Sequence, residues 1–317
     1  EGGARLDAGD ALIAGFHAQA LERARALYRA LPDAVIAEGV LQLEQTLRDA
    51  TRFDKVAVQD LWPAFTMTRL DAAACARHVG ESVPAGGLLM QGALALRPSA
   101  VLEPWLTGAE RLTAAVAGLQ AENDGWTLRD ADGAILVQAD AVVLTAGWGN
   151  AALAPDLSLA PVAGQAQWID GPTTPPVAWG GYAVPTGTGL LFGATHDRDQ
   201  TDLTPAAEAS ARNLATLAAA LPGLAAQVEA AGASQTRKAV RATTPDRLPV
   251  VGALHQPGLY ALTGLGSRGF CVAPLLGEHL AAVILGQSSP LPAAFAARLT
   301  ASRVFAQPKG PARANTT

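Results

Sequence analysis

The chain has 317 residues, half of them hydrophobic and only 16% charged, with a net charge of −5. That balance excludes a mainly disordered chain and excludes nucleic-acid binding through general basicity, though not through a local basic pocket. No run of about 18 apolar residues escapes a charge, Pro or Gly, so no membrane span is expected. Lysine is confined to Lys55, Lys238 and Lys309, and arginine carries nearly all the positive charge. Arginine suits bidentate contacts to carboxylate or phosphate. Cys75 and Cys271 are the two cysteines. They give no disulfide framework, so a reducing, cytoplasmic setting is the expectation. The length suits one large domain or two intertwined ones.

In chain order, residues 10–31 read as a helix. Ile13, Phe16, Ala20, Ala24 and Leu27 share one face, Asp10 is a candidate N-cap, and Pro32-Asp33 is a stop. A short strand follows at 39–43, a helix at 71–79, a strand at 86–90 after paired glycines, and a helix from Pro98 to about Trp105. From 112 to 146 the pattern turns to strands. Segments 126–128 and 135–137 flank Asp130-Ala131-Asp132-Gly133, a hairpin signal. Residues 141–147 form an apolar run ending in glycine, as expected for a parallel strand buried on both faces. Further strands are expected at 162–169, 181–184 and 190–194, a helix at 205–221, strands at 236–242, 248–251 and 259–263, and a long helix at 270–285. The tail after Phe305 (307–317) reads as disordered.

Gly264-Leu265-Gly266-Ser267-Arg268-Gly269 follows a strand and opens a helix, and it matches the dinucleotide fingerprint literally. That fingerprint needs a second parallel strand with an acidic residue about 20 positions on. Instead, Ser288-Ser289-Pro290-Leu291-Pro292 follows the helix, and Glu278 lies inside it. Two readings remain beside the fingerprint. One is a turn for close packing. The other is a helix N-terminus offering N–H groups and a positive dipole to an electron-rich ligand atom.

Three segments carry a resemblance. They are Ala141 to Asn150 (AVVLTAGWGN), Val240 to Gly252 (VRATTPDRLPVVG) and Leu262 to Pro274 (LTGLGSRGFCVAP). Together they resemble the D-amino-acid oxidase and glycine oxidase superfamily of FAD-dependent oxidoreductases. Within it, the chain is similar to the FAD-dependent half of bifunctional tRNA-modification enzymes. Gly86-Gly87, residues 161–165, Gly193-Ala194-Thr195 and Asp197-Arg198 fit the same pattern. The resemblance implies an α/β fold with an α+β substrate part. An FAD-binding domain (1–33, 97–158 and 244–306) would be interleaved with a mixed-sheet substrate domain (34–96 and 159–243). The superfamily's opening strand, glycine loop, helix and strand, which hold the ADP part of FAD, have no counterpart here. The chain starts with Glu1 and runs almost directly into a helix, so it reads as a fragment or as a protein whose first segment is not represented. A methyltransferase half is also absent.

By resemblance, Arg241 would clamp a substrate carboxylate; a structural salt bridge on a strand is the alternative. Arg268 would meet carboxylate or a flavin carbonyl; the alternative is a surface arginine at a helix start. Gly264, Gly266, Ser267, Gly269 and Phe270 would bind the flavin, with backbone N–H groups stabilising its anionic reduced form. Ala146 and Gly147 would allow close approach to the cofactor. Val116 would sit on a strand meeting adenine, or simply pack in the core. Asp246 reads as a turn cap, Cys271 as a buried inert thiol, and Lys238 as a strand-end lysine or an aid to O2 reduction. His196 is a substrate-pocket candidate. The histidines show no metal-ligand spacing.

The implied activity is FAD-dependent removal of the carboxymethyl group from 5-carboxymethylaminomethyl(-2-thio)uridine at the tRNA wobble position. The alternatives are a small-molecule glycine, sarcosine or D-amino-acid oxidase, and a non-catalytic remnant that packs against a partner. The implied partners are tRNA or a small amine, and a fused or separate methyltransferase domain.

Overall fold

The computed structural model describes residues 6–63, 66–123 and 125–305. The tail expected to be disordered lies outside the described residues. Helix α1 (Ala11–Arg29) begins at Asp10, whose carboxylate accepts the Leu12 and Ile13 N–H groups. Strand β1 (Val35–Leu43) leads to α2 (Leu47–Ala57), a helix the apolar pattern did not announce. Its signal was Thr46-Leu47-Arg48-Asp49. The Thr46 hydroxyl accepts the Asp49 N–H and the Asp49 carboxylate accepts the Thr46 N–H, a capping box closed by Asp.

Next come β2 (Met67–Leu70), α3 (Ala72–Val79), β3 (Gly87–Leu96) and α4 (Pro98–Trp105). Strands β4 (Gly118–Glu122), β5 (Gly125–Arg129) and β6 (Ile135–Ala139) form an antiparallel sheet that includes the expected hairpin. Strand β7 (Val142–Leu144) precedes α5 (Asn150–Leu153). Then follow β8 (Ala160–Asp170), β9 (Val177–Ala178), β10 (Tyr182–Pro185), β11 (Gly189–Gly193) and β12 (Asp197–Arg198). The alanine-rich stretch expected as one helix is two, α6 (Ala207–Ala220) and α7 (Pro222–Ala231). Pro222 has no N–H to continue the first ladder and a φ suited to starting the second. The chain ends with β13 (Gln235–Thr243), β14 (Val250–Ala253), β15 (Leu259–Thr263), α8 (Gly269–Ile284) and α9 (Ala293–Ala296).

The fold is α/β with mixed sheets. Among the described residues the largest has nine strands, ordered β12-β8-β11-β10-β9-β1-β3-β2 with β13 also on β8. Strands β14, β15 and β7 form a separate sheet in which β15 and β7 run parallel. The parallel pairing was expected of β7, but burial on both faces was not found. Val142 and Leu144 are buried while Val143 is 38% exposed, because β7 ends this sheet among the described residues and only one face is covered.

Helix α8 is apolar along most of its length, and Val272, Leu275, Leu276 and Leu280 pack against Phe16, Ala20 and Leu21 of α1. The buried Tyr28 hydroxyl donates to the Phe270 carbonyl at 2.7 Å, tying the end of α1 to the start of α8. A second anchor is the fully buried Gln165 of β8. Its Oε1 accepts the Ala206 N–H at 2.8 Å, and its Nε2 donates to the Ala206 carbonyl and the Ser210 hydroxyl. Its backbone carbonyl accepts from Asn213 and its N–H donates to Thr195. Gln165 thus supplies the cap that α6 lacks in its own sequence. Gln165→Leu should cost about 1–3 kcal/mol by leaving buried polar groups unpaired; a lowered urea midpoint in equilibrium unfolding is the readout.

Candidate functional site

Strand β15 leaves its sheet at Thr263 and enters the loop Gly264–Arg268, which feeds α8. The loop reverses at two left-handed positions, Gly264 at φ +69° and Gly266 at φ +56°, where residues with a Cβ are disfavoured. The Gly266 N–H donates to the Ala242 carbonyl at 3.2 Å, pinning the loop to β13. Arg268 caps α8 without a side-chain cap bond. The Cys271 and Val272 N–H groups turn back to the Arg268 carbonyl at 3.0 and 3.1 Å, and the start of α8 is the positive end of the helix.

Gly264, Leu265, Gly266, Ser267 and Arg268 all line one cleft of about 1480 Å³. Its other walls include Thr243, Thr244, Val162, His196, Gln42 and Trp179, drawn from β13, β8 and β1 and from the segments that follow β9, β11 and β13. The glycine motif thus both turns the chain into α8 and lines this cleft. Gly269 and Phe270 begin α8 directly behind it.

Arg241 stands on β13, register-paired with Val162 of β8. Its half-buried guanidinium lies flat over Gly164, where a Cβ would fall 2.1 Å from Nη1. Nη1 is 3.5 Å from the Thr195 carbonyl. Burial depresses its pKa below the ordinary arginine value, with Tyr182 opposing the shift. No carboxylate pairs with it among the described residues, so the structural salt bridge weighed from sequence is not found. Arg241 sits beside the cleft rather than on its wall.

Its neighbour His196 is on the wall. Partial desolvation, then the charges of Arg241 and Arg198, hold the imidazole pKa down against Asp197. Sequence reasoning missed Tyr182, which no motif marks; only the pairing of β10 with β11 brings it to Gly193 and hence toward Arg241.

Other expected residues lie elsewhere. Val116 is half-buried in an irregular segment before β4, not on a strand, and it does not line the cleft. Ala146 is exposed and Gly147, at φ +57°, is half-buried in a short 3-10 turn; neither lines the cleft. The stretch after β7 is tied to β15, where the Thr263 hydroxyl donates to the Gly147 carbonyl at 3.4 Å. Lys238 pairs with Asp202 and donates to the Thr204 carbonyl, away from the cleft.

Asp246 is a cap. It accepts the Leu248 N–H and the Thr244 hydroxyl, each at 3.0 Å, and pairs with Arg303. Cys271 is fully buried. No cluster of metal-ligating side chains occurs among the described residues.

Residues 2–283 match the family described as DAO, FAD dependent oxidoreductase. The chain belongs to this FAD-dependent oxidoreductase family. It is 50% identical over 291 residues to the tRNA 5-methylaminomethyl-2-thiouridine biosynthesis bifunctional protein MnmC of Caulobacter sp. strain K31, covering 90% of this chain and 48% of that protein. The protein of the same name from Caulobacter vibrioides is 48% identical over 287 residues, with the same coverage of each. The chain thus spans about half the length of the curated relatives it matches. Its fold is that of glycine oxidase from Geobacillus kaustophilus, with a TM-score of 0.77 at 20% identity, covering 92% of this chain and 83% of that one.

FAD is the cofactor of this family, and the loop can be tested against it. Gly266 has open space around the place its Cβ would occupy, the nearest atom being Thr243 Cγ2 at 4.0 Å. The cleft of about 1480 Å³ exceeds the roughly 300–1,000 Å³ of ordinary small-molecule sites. A bare backbone turn, a helix N-terminus and that space fit the flavin end. Gly264, Gly266, Ser267 and Arg268 would hold it. No helix among the described residues is long and apolar enough to cross a membrane.

Proposed function

We propose that this chain is the oxidase part of a tRNA-modifying enzyme. It removes the carboxymethyl group from 5-carboxymethylaminomethyl(-2-thio)uridine at the wobble position, in the cytoplasm. The observation that carries this reading is Arg241, a half-buried guanidinium without a carboxylate partner among the described residues, seated beside the cleft that the Gly264–Arg268 loop lines. The substrate's side chain is a glycine joined through its nitrogen, and its carboxylate is the anion such a guanidinium lacks.

FAD, when bound, supplies the acceptor for a hydride from the carbon beside the amine nitrogen. Arg241 holds the carboxylate and thereby fixes which carbon–hydrogen bond faces the loop. The N–H groups at the start of α8 favour negative charge next to the loop. Water then adds to the substrate imine, and the carbon–nitrogen bond breaks to give the aminomethyl nucleoside and glyoxylate.

The interleaved domain plan supports the same picture. In it, 1–33, 97–158 and 244–306 form the flavin part, and 34–96 and 159–243 the substrate part. The small sheet draws on β7, β14 and β15, and the large one on strands from 35–96 and 160–243. The methyltransferase half named by the resemblance would be joined in the same polypeptide or act separately.

The test is to give the full-length, FAD-loaded protein hypomodified tRNA. Loss of the carboxymethyl group with one glyoxylate per nucleoside is expected. Unchanged tRNA, with peroxide released from free glycine or sarcosine, would replace this reading with a small-molecule oxidase.

A further inference from the structure

The cleft wall is charged against the trend of the chain. Its lining carries Arg48, Arg52, Lys55, Arg198, Arg247 and Arg268 against Asp7, Asp49 and Asp199, in a chain of net charge −5. Elsewhere, Arg23, Arg25, Arg29, Arg69, Arg212, Arg298 and Arg303 each face a carboxylate, about half of the described arginines outside the cleft. At the cleft, exposed Arg48, Lys55, Arg198 and Arg247 have no carboxylate partner among the described residues.

Two of these belong to α2. Its buried side chains, Phe53 and Val56, face the core, which turns Arg48, Arg52 and Lys55 outward at i, i+4 and i+7 on one stripe. Arg52 is tied to Asp49 at 2.8 Å, leaving Arg48 and Lys55 as the free ends of a ridge about 10 Å long. Arg247, also on the lining, holds a left-handed backbone at φ +61°. That conformation is uncommon for a long side chain, and strained positions of this kind cluster at functional sites.

We infer that these lining cations form a phosphate-binding track for single-stranded RNA, with Arg48 and Lys55 of α2 contacting the strand together with Arg198 and Arg247. The inference rests on the tRNA reading above and says where the RNA lies. A single splayed nucleotide can enter a deep cleft, while the phosphates on either side remain at its mouth. Cations two helical turns apart can reach different phosphates. Cations spread along the lining of a cleft suit a strand better than a flat bilayer surface.

The test is equilibrium binding of hypomodified tRNA to the full-length holoprotein across 50–200 mM salt. Wild type, the R48A/K55A double variant and Arg77→Ala, an exposed arginine of α3 away from the cleft, are compared. Each lost contact should lower the log–log salt slope by about 0.7 for a single strand. The double variant should therefore lose about 1.4, weakening binding to all tRNAs alike. Its FAD content, its turnover of a small N-alkylglycine, and binding by Arg77→Ala should be unchanged.

Unaltered slope and affinity in R48A/K55A would overturn the track and leave the tRNA reading standing. Loss of FAD with RNA affinity intact would overturn it in favour of the cofactor's diphosphate. Equal weakening by Arg77→Ala would reduce it to general charge. A wild-type protein that binds no tRNA would overturn both readings.

Discussion

Arg241→Ala should raise KM for a carboxylated amine by about 10- to 150-fold, the equivalent of the roughly 1.5–3 kcal/mol carried by hydrogen bonds to a charged group. The guanidinium is already desolvated and has no carboxylate to release, so binding substrate does not first break an ion pair. Arg241→Lys should recover little, because a point charge lacks the planar fork that meets both carboxylate oxygens.

Gly164→Ala provides an independent approach to the same residue. The new methyl would fall 2.1 Å from Nη1 and 2.7 Å from Cζ. These atoms lie at the end of a flexible side chain, so the guanidinium should swing aside while the β8–β13 pairing persists. The expected result is a KM raised by about tenfold with thermal stability near wild type, since the change repositions one bidentate contact of the same size. Steady-state kinetics with the nucleoside or a small N-alkylglycine, beside a thermal melt, check both variants. Wild-type KM in Gly164→Ala would show that the seat over Gly164 is not the productive one. Unchanged KM in Arg241→Ala would remove Arg241 from substrate binding altogether.

Much of the frame was readable from the sequence because local signals sufficed. Asp10 announced α1, Pro98 announced α4, and the hydrophobic run at 259–263 is β15 to the residue. The glycine loop was readable as a turn opening a helix, because Gly264 and Gly266 take left-handed φ just before α8. What was not readable depended on pairing over long distances. Gly164 looks like any strand glycine until β13 lays Arg241 across it, 77 positions later by number. Tyr182 and His196 reach Arg241 only through the β8–β11–β10 order. The burial of β7 departs from expectation for a related reason. An apolar run specifies a strand, but what covers its second face is decided by other segments, and Val143 is left 38% exposed. Helix α2 was missed because only two of its eleven residues are buried, too few to show a periodic stripe, although its capping box was in plain view.

Gly264→Ala should weaken FAD binding by at least about tenfold, and for two separable reasons. At φ +69° an alanine carries a strain of about 1–2 kcal/mol. Its Cβ would also lie 2.9 Å from Thr244 Cγ2. Thr244 cannot retreat, because it is buried and its hydroxyl is held by the Leu248 carbonyl at 2.7 Å and by Asp246 at 3.0 Å, while Asp246 is itself clamped by Arg303. The loop must therefore move, and with it the N–H groups at the start of α8. Gly266→Ala should be milder, since φ +56° brings similar strain but no atom lies closer than 4.0 Å.

Adding Thr244→Ser to Gly264→Ala deletes the offending methyl and keeps the hydroxyl in place. It should restore the part of the loss due to the clash and leave the part due to φ. Titration of apoprotein with FAD by flavin fluorescence, in the three variants and wild type, resolves these contributions. Equal affinity in Gly264→Ala and wild type would take the flavin away from this loop. No recovery in the double variant would mean that backbone strain alone, and not Thr244, holds the turn in register with the cleft.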